Sequence, residues 1–217
     1  MANLYNTYWK YHKSKQLPDF KYKWPVIFNL LPKNENITIL DHGCGSGYIF
    51  SRLLKLNPSS KITGVDVSEY AINLISKRFP QNNFHVVKDG EKLPIKSSSV
   101  NFIVSLDVIE HIYFTREILN EFYRILSSTG KLLITTPYNG LIKSLVISII
   151  DFEKVFDPYG PHIRFFTKRS LSDGLERAGF EIIDSGYFGR FYPLSRGMYV
   201  LAKKRVGRFM PKKSIYK

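Results

Sequence analysis

LDHGCGSGYIF, residues 40–50, sets three glycines at alternate positions between two apolar runs. Glycines that close together are entropically costly. The backbone there must therefore turn through positive φ or admit a close neighbour. The preceding run, ITILD (37–41), reads as a buried strand, and residues 47–56 carry a helical apolar pattern. A strand, a glycine loop and a helix open the ligand crevice of a doubly wound α/β sheet.

Outward from that loop the alternation continues. KITGVD (61–66), NFHVVK (83–88), VNFIVSL (100–106) and KLLITTP (131–137) are short β-type runs rich in Ile, Val, Leu and Thr. Amphipathic helices fall between them at 68–78, capped by Ser68, and 115–126, opened by Thr115, with SSTG (127–130) as a helix stop. Strands alternating with helices predict a parallel, doubly wound sheet. After Pro137 the pattern breaks into an insert over 138–165, containing LIKSLVISII and FDPYGPHIRFF. A helix from Thr167 to Ala178, stopped by Gly179, and two closing strands, FEIIDSGYF and MYVLAKK, complete the pattern. Residues 1–36 are expected to form a helical cap on a domain spanning 37–217.

The chain of 217 residues is 44% hydrophobic and 15% aromatic, a globular composition. Its single cysteine, Cys44, rules out a disulfide framework and a cysteine-cluster metal site. The start, MANLYNTYWKYHK, lacks the apolar core of a signal peptide. The run LVISII (145–150) with its upstream residues is about half a membrane-spanning length. A cytoplasmic protein is expected. The net charge of +14 is uneven: residues 1–33 hold six Lys/Arg and one acid, and residues 185–217 hold nine and none. Everything between is neutral. Basic ends suit solubility or contact with phosphate-bearing substrate, RNA or lipid headgroups. The tail RVGRFMPKKSIYK (205–217) mixes basic and apolar residues, a composition suited to peripheral contact with an anionic membrane.

The loop's chemistry follows from its spacing. A dinucleotide fingerprint needs Gly-x-Gly-x-x-Gly, but Tyr48 or Phe50 stands where the third glycine belongs. No Lys-Ser/Thr follows, so a P-loop is also excluded. What remains is Asp-x-Gly-x-Gly-x-Gly, formed by Asp41, Gly43, Gly45 and Gly47. Bare backbone there lets a small ligand lie close, and Asp41 suits a ligand ammonium group. Asp66, ending the second strand, is placed to accept from both ribose hydroxyls. Asp89, after the third strand, can take the exocyclic amine of adenine. Ammonium, ribose and adenine without phosphate describe S-adenosylmethionine.

Residues 37–136 resemble the class I S-adenosylmethionine-dependent methyltransferases, in the broad group that includes the ubiquinone and menaquinone biosynthesis methyltransferases. The resemblance rests on ILDHGCGSG, GVDVSEYAI, VVKDGEKLPI, NFIVSLDVIEHI and LNEFYRILSSTGKLLITTP, in that order. HIRFFTKRSLSDGLERAGFEI is similar to the group's C-terminal helix and sixth strand. The resemblance implies a Rossmann-like seven-stranded sheet, mostly parallel with an antiparallel last strand. It also implies that Cys44, Val67, Lys88, Gly90, Ser105 and Leu106 line the cofactor beside the residues above. His42 departs from the small or apolar residue usual there and is expected to pack beside the loop.

SLDVIEHI follows the fourth strand, where an acceptor must sit, so Asp107, Glu110 and His111 are the candidate catalytic residues. A plain alternative is that Glu110 and His111 only cap and pack the next helix. Methyl transfer from a sulfonium is driven mostly by positioning, although an oxygen or nitrogen acceptor can need a base. The segment also resembles ubiquinone O-methyltransferases, whose carboxylates here are thought to hold a divalent metal. Asp107, Glu110 and His111 match that spacing, with Asp for the first Glu, although the chain is read without a metal. His162 is a second candidate base or a plain turn histidine, and Tyr138 could line the acceptor pocket. Cytosine-C5 chemistry lacks its nucleophilic Cys, and the adenine-amino motif is replaced by LDVIE.

The expected activity is methyl transfer to an oxygen or nitrogen, or to a carbon, of a small-molecule, lipid-precursor or glycan-type acceptor. The alternatives are an RNA methyltransferase and a non-catalytic cofactor-binding subunit. Residues 141–150 either cover the acceptor pocket as a core-facing helix or, with the basic ends, approach an anionic membrane.

Overall fold

Seven strands account for the β-type runs singled out above: β1 Thr38–His42, β2 Lys61–Asp66, β3 Asn83–Val86, β4 Val100–Leu106, β5 Leu126–Pro137, β6 Phe180–Phe188 and β7 Gly197–Lys204. The computed structural model describes residues 2–12 and 20–205. The strands form one sheet in the order β3-β2-β1-β4-β5-β7-β6. β1 to β5 pair in parallel, and β7 runs antiparallel to both β5 and β6. This is the expected Rossmann-like architecture with a reversed last strand. The order turns back between β1 and β4, so the loops leaving those two strands border one crevice.

Helices cover both faces. Ile27 of α2 (Phe20–Leu30) and Leu31 just beyond it lie with Phe50 and Leu53 of α3 (Tyr48–Leu56) and Ile72 and Ile75 of α4 (Glu69–Arg78). All pack on one face against Ile39, Ile62 and Val104. On the other face lie Ile118, Leu119 and Phe122 of α5 (Thr115–Ile125) and Leu171 and Leu175 of α8 (Lys168–Arg177), against Leu40, Ile103 and Ile134. Central strands buried on both faces explain why β1, β4 and β5 read as continuous apolar runs rather than alternating ones. Phe50, Phe122 and Phe180 are fully buried, so truncating any of them to Ala costs about 3–5 kcal/mol.

The caps follow their chemistry. Ser68 Oγ accepts from Ala71 N at 3.1 Å, and Thr167 and Ser170 form a reciprocal capping box. Thr115 opens its helix as expected, though not as the cap. It is the first helical residue, its hydroxyl donates back to Ile112 O, and Phe114 holds the cap position. The fifth strand also begins earlier, at Leu126, because that residue pairs with Val100 before a register shift lets Lys131 pair with Phe102.

The remaining elements surround the crevice. α1 (Ala2–Tyr11) buries no residue in the core and packs on α4. The insert holds α6 (Leu141–Ile150) and α7 (Phe152–Val155). α6 is not core-facing: none of its residues is buried, and Leu141, Ile142, Leu145, Ile149 and Ile150 are exposed. The tail from 206 onward lies outside the described residues.

Candidate functional site

At the carboxyl end of β1 the chain turns through Gly43, Gly45 and Gly47, at φ 74°, 50° and 85°. L-residues with side chains resist that region. The turn brings Gly45 N within 2.9 Å of Asp66 Oδ2, while Asp66 Oδ1 accepts from Ser68 N, also at 2.9 Å. The second strand's acid thus holds the glycine loop in place and keeps lone pairs on both oxygens. Asp41 lies beside it, buried, with Oδ2 bonded to nothing. Burial, helped by the charge of Asp66, pushes the Asp41 carboxyl up to about 8. Burial also raises Asp66, against the backbone amides that bond it.

The glycines are close-packed rather than open. A Cβ on Gly43 would strike Val108, one on Gly45 the Trp9 indole, and one on Gly47 Ile75. The bare backbone expected to face a ligand is therefore approached by the protein's own side chains. Even so, an orphaned buried carboxylate, a second acid with free lone pairs and a positive-φ loop fit the ammonium and ribose ends of S-adenosylmethionine.

The other cofactor candidates divide. Gly90 turns at φ 83° under the Phe114 ring. Asp89 accepts from Tyr113 N at 2.6 Å, which ties the β3 loop to the loop after β4. Val67 and Leu106 are half-buried at the ends of β2 and β4. Lys88 is exposed and pairs with Glu91 at 3.5 Å. Cys44 is buried, its thiol raised by burial. Ser105 Oγ is taken up with His42 Nδ1 at 3.2 Å. His42 packs edge-on to Phe122, and burial holds it down at about 4, neutral as expected of a packing residue.

After β4 the backbone turns at Asp107, φ 54°. Its amide donates to Thr135 O at 3.0 Å, its Oδ1 accepts from Thr135 Oγ1 at 2.8 Å, and its Oδ2 forms an ion pair with buried Lys23 of α2. Both carboxylate oxygens of Asp107 are thus engaged. Glu110 and His111 follow in a 3-10 turn. Neither Glu110 oxygen meets a hydrogen-bond partner, and burial pushes its carboxyl up to about 7. The Thr136 hydroxyl is close enough to oppose that rise, although its geometry falls short of a hydrogen bond. His111 Nδ1 lies 2.8 Å from Pro161 O, and burial lowers it to about 4.

The insert returns to this turn. Ile163 N and Arg164 N both donate to Glu110 O at 3.1 Å, which brings the His162 ring to 4.9 Å from that of His111. Tyr138 is buried against Tyr187 at the end of β5.

Four contributors were not singled out in the sequence. Tyr5 stands edge-on to His111, its buried hydroxyl unpartnered and raised by burial and by Glu110 and Asp66. Asn6 Oδ1 accepts from Ser68 Oγ at 2.7 Å and from Tyr70 N at 3.1 Å. Trp9 covers Gly45. Lys23 holds Asp107. The visible signals were the aromatic density of NLYNTYW and the lysines Lys21 and Lys23 within a mostly apolar helix.

Comparison with known proteins agrees with this geometry. A family profile described as "Methyltransferase domain" matches residues 19–185. A probable S-adenosylmethionine-dependent methyltransferase of Mycolicibacterium smegmatis is 29% identical over 151 residues, 68% of this chain and 53% of that protein. A ubiquinone biosynthesis O-methyltransferase of Bartonella tribocorum is 26% identical over 157 residues, 69% of this chain and 62% of that protein. The chain spans about half the length of the curated relatives it matches. Among solved structures, an S-adenosylmethionine-dependent methyltransferase from Aquifex aeolicus shares the fold, with a TM-score of 0.64 over 86% of this chain and 93% of that one at 19% identity. With a methyltransferase-domain match over most of its length and the sheet order and glycine cradle that go with it, the chain belongs to the class I S-adenosylmethionine-dependent methyltransferases.

Proposed function

We propose that the protein transfers a methyl group from S-adenosylmethionine to an oxygen or nitrogen of an amphiphilic, lipid-like acceptor. The cofactor supplies an electrophilic methyl on a sulfonium, and the protein's part is to position the acceptor and exclude water. Asp41 and Asp66 would hold the cofactor's polar ends. The turn at 107–111, the returning segment 162–166 and Tyr5 would enclose the acceptor's reacting end.

The observation that carries the acceptor class is the exposed face of α6. Its six large exposed aliphatic side chains, Val146 among them, are joined within the insert by four other exposed apolar residues, Phe152, Tyr159, Ile163 and Phe165. Both ends of the insert are fastened near the acceptor turn, through Tyr138 pairing with Phe166 and through the bonds to Glu110 O. Lys143 Nζ donates to Tyr138 O and Arg196 O, linking the face to a loop that also exposes Phe191 and Tyr192. An apolar surface of this kind beside an active site suits an acceptor presented from a lipid interface. Among the described residues no helix is long and apolar enough to cross a membrane, so the contact proposed is peripheral.

The test pairs labelled S-adenosylmethionine with lipid, phenolic, sugar and RNA extracts, and adds co-sedimentation with anionic vesicles. Label is expected in a lipid-soluble product. Leu145→Ser with Ile149→Ser should reduce vesicle binding while changing stability by less than about 0.5 kcal/mol, since both sites are exposed. Label confined to RNA or free sugars, or vesicle binding indifferent to those substitutions, would refute the lipid-like acceptor.

A further inference from the structure

Glu110, His111 and His162 turn one ligand atom each into a single small volume, all within 4.8 Å of one another. Three features distinguish them from a chance cluster. The Glu110 carboxylate is 1% exposed, and neither oxygen accepts a hydrogen bond. A buried carboxylate without such bonds is costly unless a proton or a cation neutralises it, and the nearby Lys23 is already paired with Asp107. His111 Nδ1, 2.8 Å from Pro161 O, must carry the proton and donate it. That leaves the lone pair on Nε2, 3.9 Å from Glu110 Oε1. A backbone carbonyl fixing the far nitrogen is the usual support of a metal-ligating histidine. His162 is held in place by its own neighbours, whose amides bond Glu110 O, and by Arg164 Nε donating to Ile112 O at 3.1 Å.

The ligand set implied by the resemblance to ubiquinone O-methyltransferases does not fit this chain, because both Asp107 oxygens are engaged by Lys23 and Thr135. We infer that the insert supplies the missing ligand, and that Glu110, His111 and His162 bind one divalent transition-metal ion. Two imidazoles and one carboxylate suit zinc, cobalt, manganese or iron and leave positions open to a further ligand. Magnesium, which favours oxygen ligands, is disfavoured. Ligand atoms around one such ion stand roughly 3–3.5 Å apart, from bonds of about 2.0–2.2 Å. The cluster therefore needs to close by about an ångström, a movement open to the exposed His162 on its loop. Such an ion would lower the pKa of an acceptor hydroxyl. That consequence rests on the methyl-transfer reading; the binding does not.

The test titrates the chelator-treated full chain with Co2+, followed by absorption, and with Zn2+ by competition, without any methyl acceptor. One ion per chain is expected, with a visible Co2+ spectrum reporting nitrogen ligands. His162→Ala should weaken binding at least about tenfold and leave the melting temperature of the metal-free protein unchanged. Asp107→Asn should keep stoichiometry and spectrum. If that variant does not fold, Asp107→Asn combined with Lys23→Met takes its place. No stoichiometric binding of either ion, binding indifferent to His162→Ala, or loss of the site in a folded Asp107 variant would overturn the inference. Calorimetry with S-adenosylmethionine on the same sample separates the two readings. Cofactor binding without ion binding sinks the metal site alone, whereas ion binding without cofactor binding sinks methyl transfer alone.

Discussion

Asp41 is buried next to Asp66 with one oxygen unbonded, and an acid so placed resists ionisation. Its folded-state value of about 8 lies above the ordinary 3.8. The protonated form therefore stabilises the cofactor-free fold at low pH, and that contribution is lost as pH rises through about 8. A cationic ligand reverses the preference, so binding should release a proton. Cofactor affinity is expected to rise by up to about tenfold per pH unit below pH 8. Asp41→Asn should bind more weakly, flatten that slope and melt higher than wild type at alkaline pH without cofactor. The cofactor amine titrates in both proteins and cancels in the comparison. An Asn variant with an unchanged pH slope would remove Asp41 from the ammonium site. Asp41 and Asp66 were legible because their places at strand ends follow from the spacing of apolar runs. The company they keep was not, since Trp9 and Tyr5 arrive from a helix more than thirty residues upstream.

The elements divide in the same way. Strands buried on both faces and helices with apolar residues three and four apart announce themselves, and the cap at Ser68 was readable from a single residue. The placement of α6 was not, because an apolar helix has the same composition whether it meets the core or the surface. The joint between α2 and the acceptor turn was equally hidden. Lys23 is 3% exposed and pairs with Asp107, itself 27% exposed. Removing one member of a buried pair strands the other. Lys23→Ala should destabilise by about 3 kcal/mol in urea unfolding, the low end for such pairs because Asp107 is partly wet. Lys23→Met with Asp107→Asn should recover much of that loss. A single variant within about 0.5 kcal/mol of wild type would show the pair to be incidental.

At the scale of the molecule, one topological fact organises the rest. The sheet reverses its order between β1 and β4. The glycine loop and the Asp107–His111 turn therefore meet across one crevice, α1 closes it from above, and the insert returns to its rim. Five motifs in sequence order were enough to predict that arrangement, because parallel crossovers leave few alternatives. The acceptor was not legible, since the surfaces proposed to set it come from the insert and the 189–196 loop, which are distant in sequence and have no repeating pattern. The central claim is a cradle built for S-adenosylmethionine, and calorimetric titration of the purified chain tests it most directly. S-adenosylmethionine should bind at one site with micromolar-range affinity and in preference to NAD. Asp66→Ala, confirmed as folded by its melting transition, should weaken binding by about 1–3 kcal/mol. Preference for NAD, or an Asp66→Ala protein that binds S-adenosylmethionine as well as wild type does, would contradict it.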